Sequence, residues 1–292
     1  MSWYDGLEHV VRESESLAPL TWLRIGGVAE FFAEPTNVGE LQSIVQRCGD
    51  HDISVRVLGA GSQILVSDAG LKGLVVHMGA PEFCEISVEG KVLSAGPGAK
   101  LGHVVSTSVR EGLGGLESLV GIPGTFAGAL KGNADSNGMS IGQWTQEVSV
   151  MNRDGSIETW DQERLRFSYR RSNLDVPIVL GAKLELEESD VSELTRRMQM
   201  LWIMKRSNQP SGELGHSRMF LDAQGMTAAE LIDQVGLRGR SVGAASISEI
   251  NANYVVAHPG ATSQNVEELL TLVEESVREE LGVELTRELQ IW

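Results

Sequence analysis

The placement of glycine constrains this chain most. There are 33 glycines against 8 prolines, and up to about residue 187 they punctuate a series of short β-branched runs, a pattern of tight turns and close backbone approaches. The clearest run is ISVRVLG at 53–59. LVVH (74–77), EISVEG (85–90), KVLSAG (91–96), EVSVMN (147–152), SIETW (156–160) and PIVLGAKLEL (177–186) read as further strands, with Asp154-Gly155 as a hairpin turn. Asn37 opens a helical stretch with Leu41, Ile44 and Val45 on one face, and a second helical stretch covers about 99–111. A glycine-dense loop then runs from Gly112 to Gly142.

From about residue 188 the pattern changes. DVSELTRRMQMLWIMKR, residues 190–206, is the longest continuous helical stretch to that point, and it ends before Ser207 and Gln209-Pro210. Thr227-x-x-Glu230 is a capping box ahead of Leu231, Ile232 and Val235, with Gly236 as the stop. An acidic helix over 262–281 closes the chain at Gly282. No internal repeat or low-complexity linker appears. The 292 residues therefore divide into a strand-rich part, 1–187, with lobes of about 1–78 and 79–187, and a more helical part, 188–292.

Apolar residues make up 41% and charged residues 22%, enough to build a sizeable core and to exclude wholesale disorder. The net charge of −16 argues against a nucleic-acid or anionic-membrane surface, so an anionic ligand needs a local cluster of cations or amides. Cys48 and Cys84 are too few for a disulfide framework or a zinc site, and both read as small buried hydrophobes. Residues 1–16 lack the basic and apolar regions of a secretory signal, and no apolar run reaches the ~20 residues that span a bilayer. The expectation is a cytoplasmic protein, monomeric or weakly self-associating.

Three segments could carry chemistry. Gly59-Ala60-Gly61-Ser62-Gln63 follows a strand, where amides and a hydroxyl can meet a pyrophosphate. It is not GxGxxG and no helical pattern follows, so a dinucleotide-binding βαβ unit is excluded and a plain turn stays open. Gly121-Ile122-Pro123-Gly124-Thr125-Phe126-Ala127-Gly128-Ala129 leaves room for a flat ligand or for another backbone. Asn133, Asp135, Ser136 and Asn137 after it read as a solvated turn. In Phe167-Ser168-Tyr169-Arg170-Arg171-Ser172 the arginines are either surface charges or, if buried, a carboxylate or phosphate clamp.

Taken together these segments resemble a known family. Thr21-x-Leu23-x-Ile25-Gly26-Gly27-x-Ala29, LGAGSQILVSDAGLKGLVV (58–76), GLESLVGIPGTFAGA (115–129), FSYRRS (167–172) and the closing LTRELQIW follow, in order, the motifs of the UDP-N-acetylenolpyruvoylglucosamine reductases of peptidoglycan synthesis. The resemblance implies an α+β fold: a two-lobed FAD-binding domain of the vanillyl-alcohol-oxidase type, then a C-terminal α+β substrate-binding domain. It implies FAD and NADPH as cofactors and a UDP-sugar as substrate. The flavin would be held by Leu58, Gly59, Ala60, Gly61, Ser62 and Gln63, and by Gly121, Pro123, Gly124, Thr125, Gly128 and Ala129. Tyr169, Gln209 and Asp222 would meet the substrate. Arg170 would hold its carboxylate, with Glu288 assisting the enolate.

The motif around the family's proton-donating serine is altered. In Gly215-His216-Ser217-Arg218-Met219-Phe220-Leu221-Asp222-Ala223, anchored on Phe220, the serine position holds Arg218, and Ser217 could serve only if the loop slips by one residue. Asp222 replaces an amide that contacts the diphosphate, a change expected to repel a UDP-sugar. Gln63 stands for asparagine, Ala127 for glycine, and Asn251 for the histidine of a Ser-x-x-His-Ala-Asn motif. Two further readings stay open: a flavoenzyme acting on another acid gripped by Arg170 and Arg218, and a non-catalytic binder of FAD or a nucleotide sugar.

Overall fold

The computed structural model describes residues 2–174, 178–210, 214–223 and 225–292. Contacts divide the chain into two compact units. Unit 1 is Met1–Glu13, Phe31–Gly59 and Lys72–Met204, and unit 2 is Ser14–Glu30, Ala60–Leu71 and Lys205–Trp292. This division differs from a single cut near residue 187. The cause is non-local pairing inside unit 2, where strand Gln290–Ile291 runs parallel to Ile64–Leu65 and Ser67 N donates to Trp292 O at 2.8 Å.

Unit 1 has two cores. In the first, α1 (Val38–Asp50) starts where the Asn37 side chain accepts from Glu40 N at 2.9 Å. Leu41, Ile44, Val45 and Cys48, at i, i+3, i+4 and i+7, are buried with Leu74 and Val76. Those two belong to strand Leu71–His77, parallel to Val55–Leu58 in a four-stranded sheet completed by Val11–Ser16 and Val28–Ala33. Burial pushes the Cys48 thiol up to about 12, whereas Cys84, expected to be buried too, is only partly covered.

The second core lies on a five-stranded antiparallel sheet, in the order Ile157–Asp161, Thr145–Met151, Ile178–Glu185, Val92–Ala95, Ile86–Glu89. Gly155, at φ +80°, makes the expected hairpin turn after Asp154. The strand expected from residue 177 is described from Ile178, and Pro177 lies outside the described residues. α2 (Leu101–Arg110) and α3 (Phe126–Lys131) contribute Val104, Val105, Phe126 and Leu130 to this core. The expected loop 112–142 therefore contains a helix. Six residues give too little periodicity to see, but Thr125 caps it by accepting from Gly128 N at 3.3 Å. α4 (Val191–Ser207) closes the unit through Met204.

Unit 2 is built on an antiparallel sheet in the order Gly215–Arg218, Tyr254–Ala257, Ala245–Ile247, Ser241–Val242. Gly215–Arg218 and Ser241–Val242, like Val11–Ser16, are too short or too polar to show in the sequence, and Tyr254–Ala257 and Ala245–Ile247 are short runs of three or four residues. α5 (Ala228–Gln234) begins with the expected capping box: Glu230 N donates to Thr227 Oγ1 and Thr227 N to Glu230 Oε2. α6 (Ser263–Leu281) ends at Gly282 in the left-handed conformation. Leu231, Ile232, Val266, Leu269, Leu270 and Val273 pack over the sheet around Phe220 and Val255. Among the described residues no helix is long and apolar enough to cross a membrane.

Candidate active site

The two glycine-rich segments of unit 1 meet. Strand Val55–Leu58 ends at Gly59, and a Cβ there would fall 2.7 Å from Thr125 Oγ1. Any larger residue would drive a side chain into the start of α3. The Gly121–Thr125 turn has φ +75° at Gly121 and +131° at Gly124, values that glycine adopts without strain. Leu101 N donates to Gly124 O at 3.0 Å and Phe126 N to Ala99 O at 2.8 Å, fixing the turn on α2. Pro123, Gly124 and Thr125 remain partly open to solvent and Gly128 is exposed, while Ala127 and Ala129 turn into the core. The added methyl of Ala127 is thus absorbed by packing.

Tyr169-Arg170 forms the turn of a small hairpin in which Phe167 pairs with Ser172 and Ser168 with Arg171. Arg170 adopts φ +54°, a conformation costing a non-glycine residue on the order of 1–3 kcal/mol and held only where surroundings enforce it. Asp135 is the enforcing partner: its carboxylate forms an ion pair with Arg170 Nε, and its carbonyl accepts from Nη2 at 3.3 Å. Asn133 adds a second brace, with Nδ2 donating to Ser168 O at 2.7 Å and Oδ1 accepting from Gly142 N at 3.0 Å. The two arginines therefore split, Arg170 mostly covered and Arg171 exposed, and the loop read as a solvated turn is what orients Arg170. Tyr169 is half exposed.

In unit 2 the altered motif has one register. Ser217 pairs with Val255 and Arg218 with Tyr254, so their side chains leave opposite faces of the strand. Ser217 is buried, and its Oγ donates to Ser62 O at 2.8 Å. Gln63 lies beside it and donates from Nε2 to Arg218 O at 2.6 Å. The one-residue slip that would place Ser217 beside Glu288 is not what the strand adopts. Gln63 is turned toward the strand's backbone, whereas Ser62 meets the strand through its carbonyl, and Gly61 stacks on the Thr21 segment, where Trp22 N donates to Gly61 O at 3.0 Å.

Arg218 faces the other way. Its Nη2 donates to Asp222 Oδ2 at 2.7 Å, and its Nε lies 3.2 Å from Glu288 Oε2. Burial alone would lower the guanidinium pKa, but the nearby Glu288 and Asp222 carboxylates outweigh it and raise it further. Asp222, expected to present a repulsive charge, is neutralised by Arg218 and also accepts Ala228 N at 3.0 Å, at the start of α5. Glu288 is placed by backbone: its N–H donates to Met219 O at 2.9 Å, and Leu221 N donates to Thr286 O at 2.9 Å.

One residue of this arrangement was not anticipated. Asn253, almost fully buried, accepts from Phe220 N at 2.9 Å and donates to Phe220 O at 2.7 Å, so it holds the chain next to Arg218. In the sequence it shows as the closing asparagine of the Ser-x-x-His-Ala-Asn motif, which gives no sign of its partners. Asn251, in the histidine position, donates to Asn208 O at 3.2 Å. Gln209 is partly buried, two residues beyond α4. Structure thus gathers Arg218, Asp222 and Glu288, pairs Arg170 with Asp135, and turns Ser217 inward.

Residues 209–292 match the model of the C-terminal domain of UDP-N-acetylenolpyruvoylglucosamine reductase, and residues 29–161 match an FAD-binding domain. The reductase of Rhodopirellula baltica is 39% identical over 288 residues, 99% of this chain and 94% of that protein. That of Heliobacterium modesticaldum is 33% identical, covering 96% and 90%. The crystal structure of the reductase from Thermus caldophilus superposes with a TM-score of 0.83 at 33% identity, over 97% of this chain and 99% of that one. The 6-hydroxy-D-nicotine oxidase of Arthrobacter nicotinovorans, at 11% identity and a TM-score of 0.59 over 99% and 87%, shares the fold alone. With end-to-end similarity at this level, the chain belongs to the UDP-N-acetylenolpyruvoylglucosamine reductase family.

Proposed function

We propose that this chain uses FAD and NADPH to reduce the enolpyruvyl group of a UDP-N-acetylglucosamine ether to the corresponding UDP-N-acetylmuramate, an oxidoreductase step of peptidoglycan synthesis. The observation that carries the reading is the strained, enclosed Arg170, oriented by Asp135 in a chain that aligns end to end with reductases of that name. The residues present fit the flavin. Gly59 leaves room for Thr125 to pack directly on the strand end, and the glycine-rich turn Gly121–Thr125 stays partly open to solvent. Leu58, Gly59, Gly121, Pro123, Gly124, Thr125, Gly128 and Ala129 of unit 1 are residues assigned to hold it.

Bound FAD, reduced by NADPH, would supply the hydride to the terminal vinyl carbon. What this chain's residues must do is manage the charge that follows. The adjacent carbon, which bears the carboxylate, takes on enolate character, and a preoriented guanidinium stabilises it without reorganising. Arg170 fills that role, because Asp135 anchors one edge of its fork. Glu288 is the carboxyl partner assigned to the enolate, with Tyr169 and Gln209 toward the sugar nucleotide. Arg218 cannot release a proton near neutral pH, since its pKa is raised above an already high value. Ser217 is committed to Ser62 O. The proton that completes the product is therefore assigned to water, with Arg218 fixing the Glu288 carboxylate beside its path.

The test is anaerobic. The flavin is reduced with NADPH, the enolpyruvyl UDP-sugar is added, and visible absorption is followed. Its return, with formation of the muramate product, is expected. A flavin that reduces but stays reduced overturns the substrate assignment.

A further inference from the structure

Within unit 2, the strand Gly215–Arg218 turns Ser217 inward, so the residues on either side of it, His216 and Arg218, share the opposite face. Two residues along a strand, their Cα atoms lie about 7 Å apart. The His216 ring is held between two others, its centroid 5.4 Å from Trp22 and 6.1 Å from Tyr254, the residue paired with Arg218. Nδ1 of His216 lies 3.3 Å from Leu214 O. A carbonyl oxygen only accepts, so Nδ1 carries a hydrogen, and Nε2 is the nitrogen left to gain or lose a proton. No described residue bonds to that Nε2, and the side chain is only partly buried. His258 differs: its Nε2 sits 2.9 Å from Ser246 Oγ, one strand further on.

This placement bears on the proton that must follow hydride transfer, and its meaning rests on the reductase reading above. Arg218 keeps its proton and Ser217 is turned away, whereas an imidazole is the side chain that ordinarily exchanges a proton near neutral pH. We propose that His216 is the proton source for the water beside Glu288: the imidazolium Nε2 gives a proton to that water as the water gives one to the enolate carbon. The Nε2–H bond and one O–H bond of the water break, a new O–H bond and the C–H bond of the product form, and neutral His216 regains its proton from solvent. A single water can bridge the imidazole and the Arg218–Glu288 pair on the shared face. The surrounding charge suits a cation there. Arg218, Asp222 and Glu288 together carry one negative charge, so an imidazolium meets attraction rather than repulsion. Tyr254, the titratable side chain in contact with the ring, is ordinarily uncharged near neutral pH, and Trp22 carries no charge.

The experiment is stopped-flow reoxidation of the NADPH-reduced, FAD-loaded protein by the enolpyruvyl UDP-sugar, over a pH series through the neutral range. In the parent the rate should fall as pH rises, because the imidazolium is the form that donates. His216→Asn keeps a donor at the Nδ1 position but cannot titrate. It should be at least about tenfold slower near neutral pH, short of the 10²–10⁴-fold of a directly contacting acid, and its rate should lose that pH dependence. Added imidazole should restore part of the rate. Flavin content and circular dichroism confirm that the variant is folded. A second readout does not depend on turnover: nitrogen NMR of the oxidised holoprotein should show neutral His216 protonated on Nδ1, the signal being assigned by its loss in His216→Asn. A pH dependence that survives the substitution, an unchanged rate, or neutral His216 protonated on Nε2 overturns the proposal while the reductase reading stands. A parent flavin that stays reduced with the enolpyruvyl UDP-sugar overturns that reading, and this proposal with it.

Discussion

Arg218 Nε lies 3.2 Å from Glu288 Oε2, while Nη2 of the same guanidinium donates to Asp222 Oδ2 at 2.7 Å. One cation thus holds two carboxylates that would otherwise repel each other at the edge of the antiparallel sheet. The arginine at the serine position and the aspartate at the amide position therefore form one unit: Asp222 compensates Arg218. Two departures that look separately damaging in the sequence balance in the fold.

Removing the cation should cost more than losing an ordinary surface pair. Arg218→Met strands two carboxylates with little access to water and is expected to destabilise the protein by about 2–4 kcal/mol near neutral pH. The deficit should shrink as pH falls toward about 5, because neighbouring carboxylates without a cation take up protons more readily. Denaturant unfolding of both proteins across that range checks the sign. A deficit that grows on acidification would mean that the pair is not what stabilises this corner.

Proton delivery gives a second prediction. With Arg218 unable to act as an acid and Ser217 turned inward, the step after hydride transfer depends on water. Arg218→Ser places a hydroxyl on the face that Arg218 now occupies and should speed flavin reoxidation by about 10²-fold. Stopped-flow traces in light and heavy water should show a smaller solvent isotope effect in the variant. Slower reoxidation would instead make the arginine itself necessary.

Arg170 carries the third. Its fork is oriented by Asp135 and by a backbone conformation that arginine does not adopt unaided. Arg170→Ala should lower kcat by about 10²–10³-fold, while flavin content and its visible spectrum stay as in the parent. Arg170→Lys keeps the charge but not the planar fork, and should recover only part of the loss. Lost flavin in Arg170→Ala would move the residue from substrate to cofactor.

What the sequence disclosed follows the range of the forces involved. Local signals were legible: Asn37 and Thr227 cap helices through side chains only three residues from their donors, and Asp154-Gly155 turns its hairpin. Non-local pairing was not. Nothing around Ile64 announces a partner at Gln290, so unit 2 could not be assembled from composition shifts along the chain. The site divides in the same way. Arg218 in the serine position was visible in the motif, but its pairing with Glu288 depends on the segment 286–289 running beside 219–221. Asp135 and Asn253 were missed because short polar side chains in loops look alike until their backbone partners are known.

Cys48 supplies a pH dependence. Its thiol is fully buried on α1, and burial raises its pKa from the usual 9.0 to about 12. The folded state thus binds that proton more tightly than the unfolded chain. The associated stability is complete below pH 9 and is lost as pH rises toward 12, with a slope of about 1.4 kcal/mol per pH unit. Cys48→Ala should show a small deficit at neutral pH, from the lost packing, and a shallower alkaline decline. Unfolding midpoints across the alkaline range decide this, and parallel curves would show that Cys48 does not govern the decline.

Asn253 decides how firmly the altered loop is held. Both polar atoms of its side chain bond to the Phe220 backbone, and its own carbonyl accepts from Met219 N at 3.0 Å. Asn253→Ala leaves a buried N–H and a buried C=O unpaired, for a loss of about 2–4 kcal/mol. Met219 O accepts from Glu288 N, so the same change should also misplace Glu288 relative to Arg218 and reduce turnover. Asn253→Asp separates packing from hydrogen bonding. A protonated carboxyl can remake both bonds, whereas the ionised form faces Phe220 O with no donor and is buried in apolar surroundings. Its stability should therefore improve relative to the parent as pH is lowered, the reverse of what a carboxylate held by a cation would show. Unfolding measurements on the three proteins at neutral and mildly acidic pH test this; an Asn253→Asp deficit that does not change with pH would mean that Asn253 acts through shape alone.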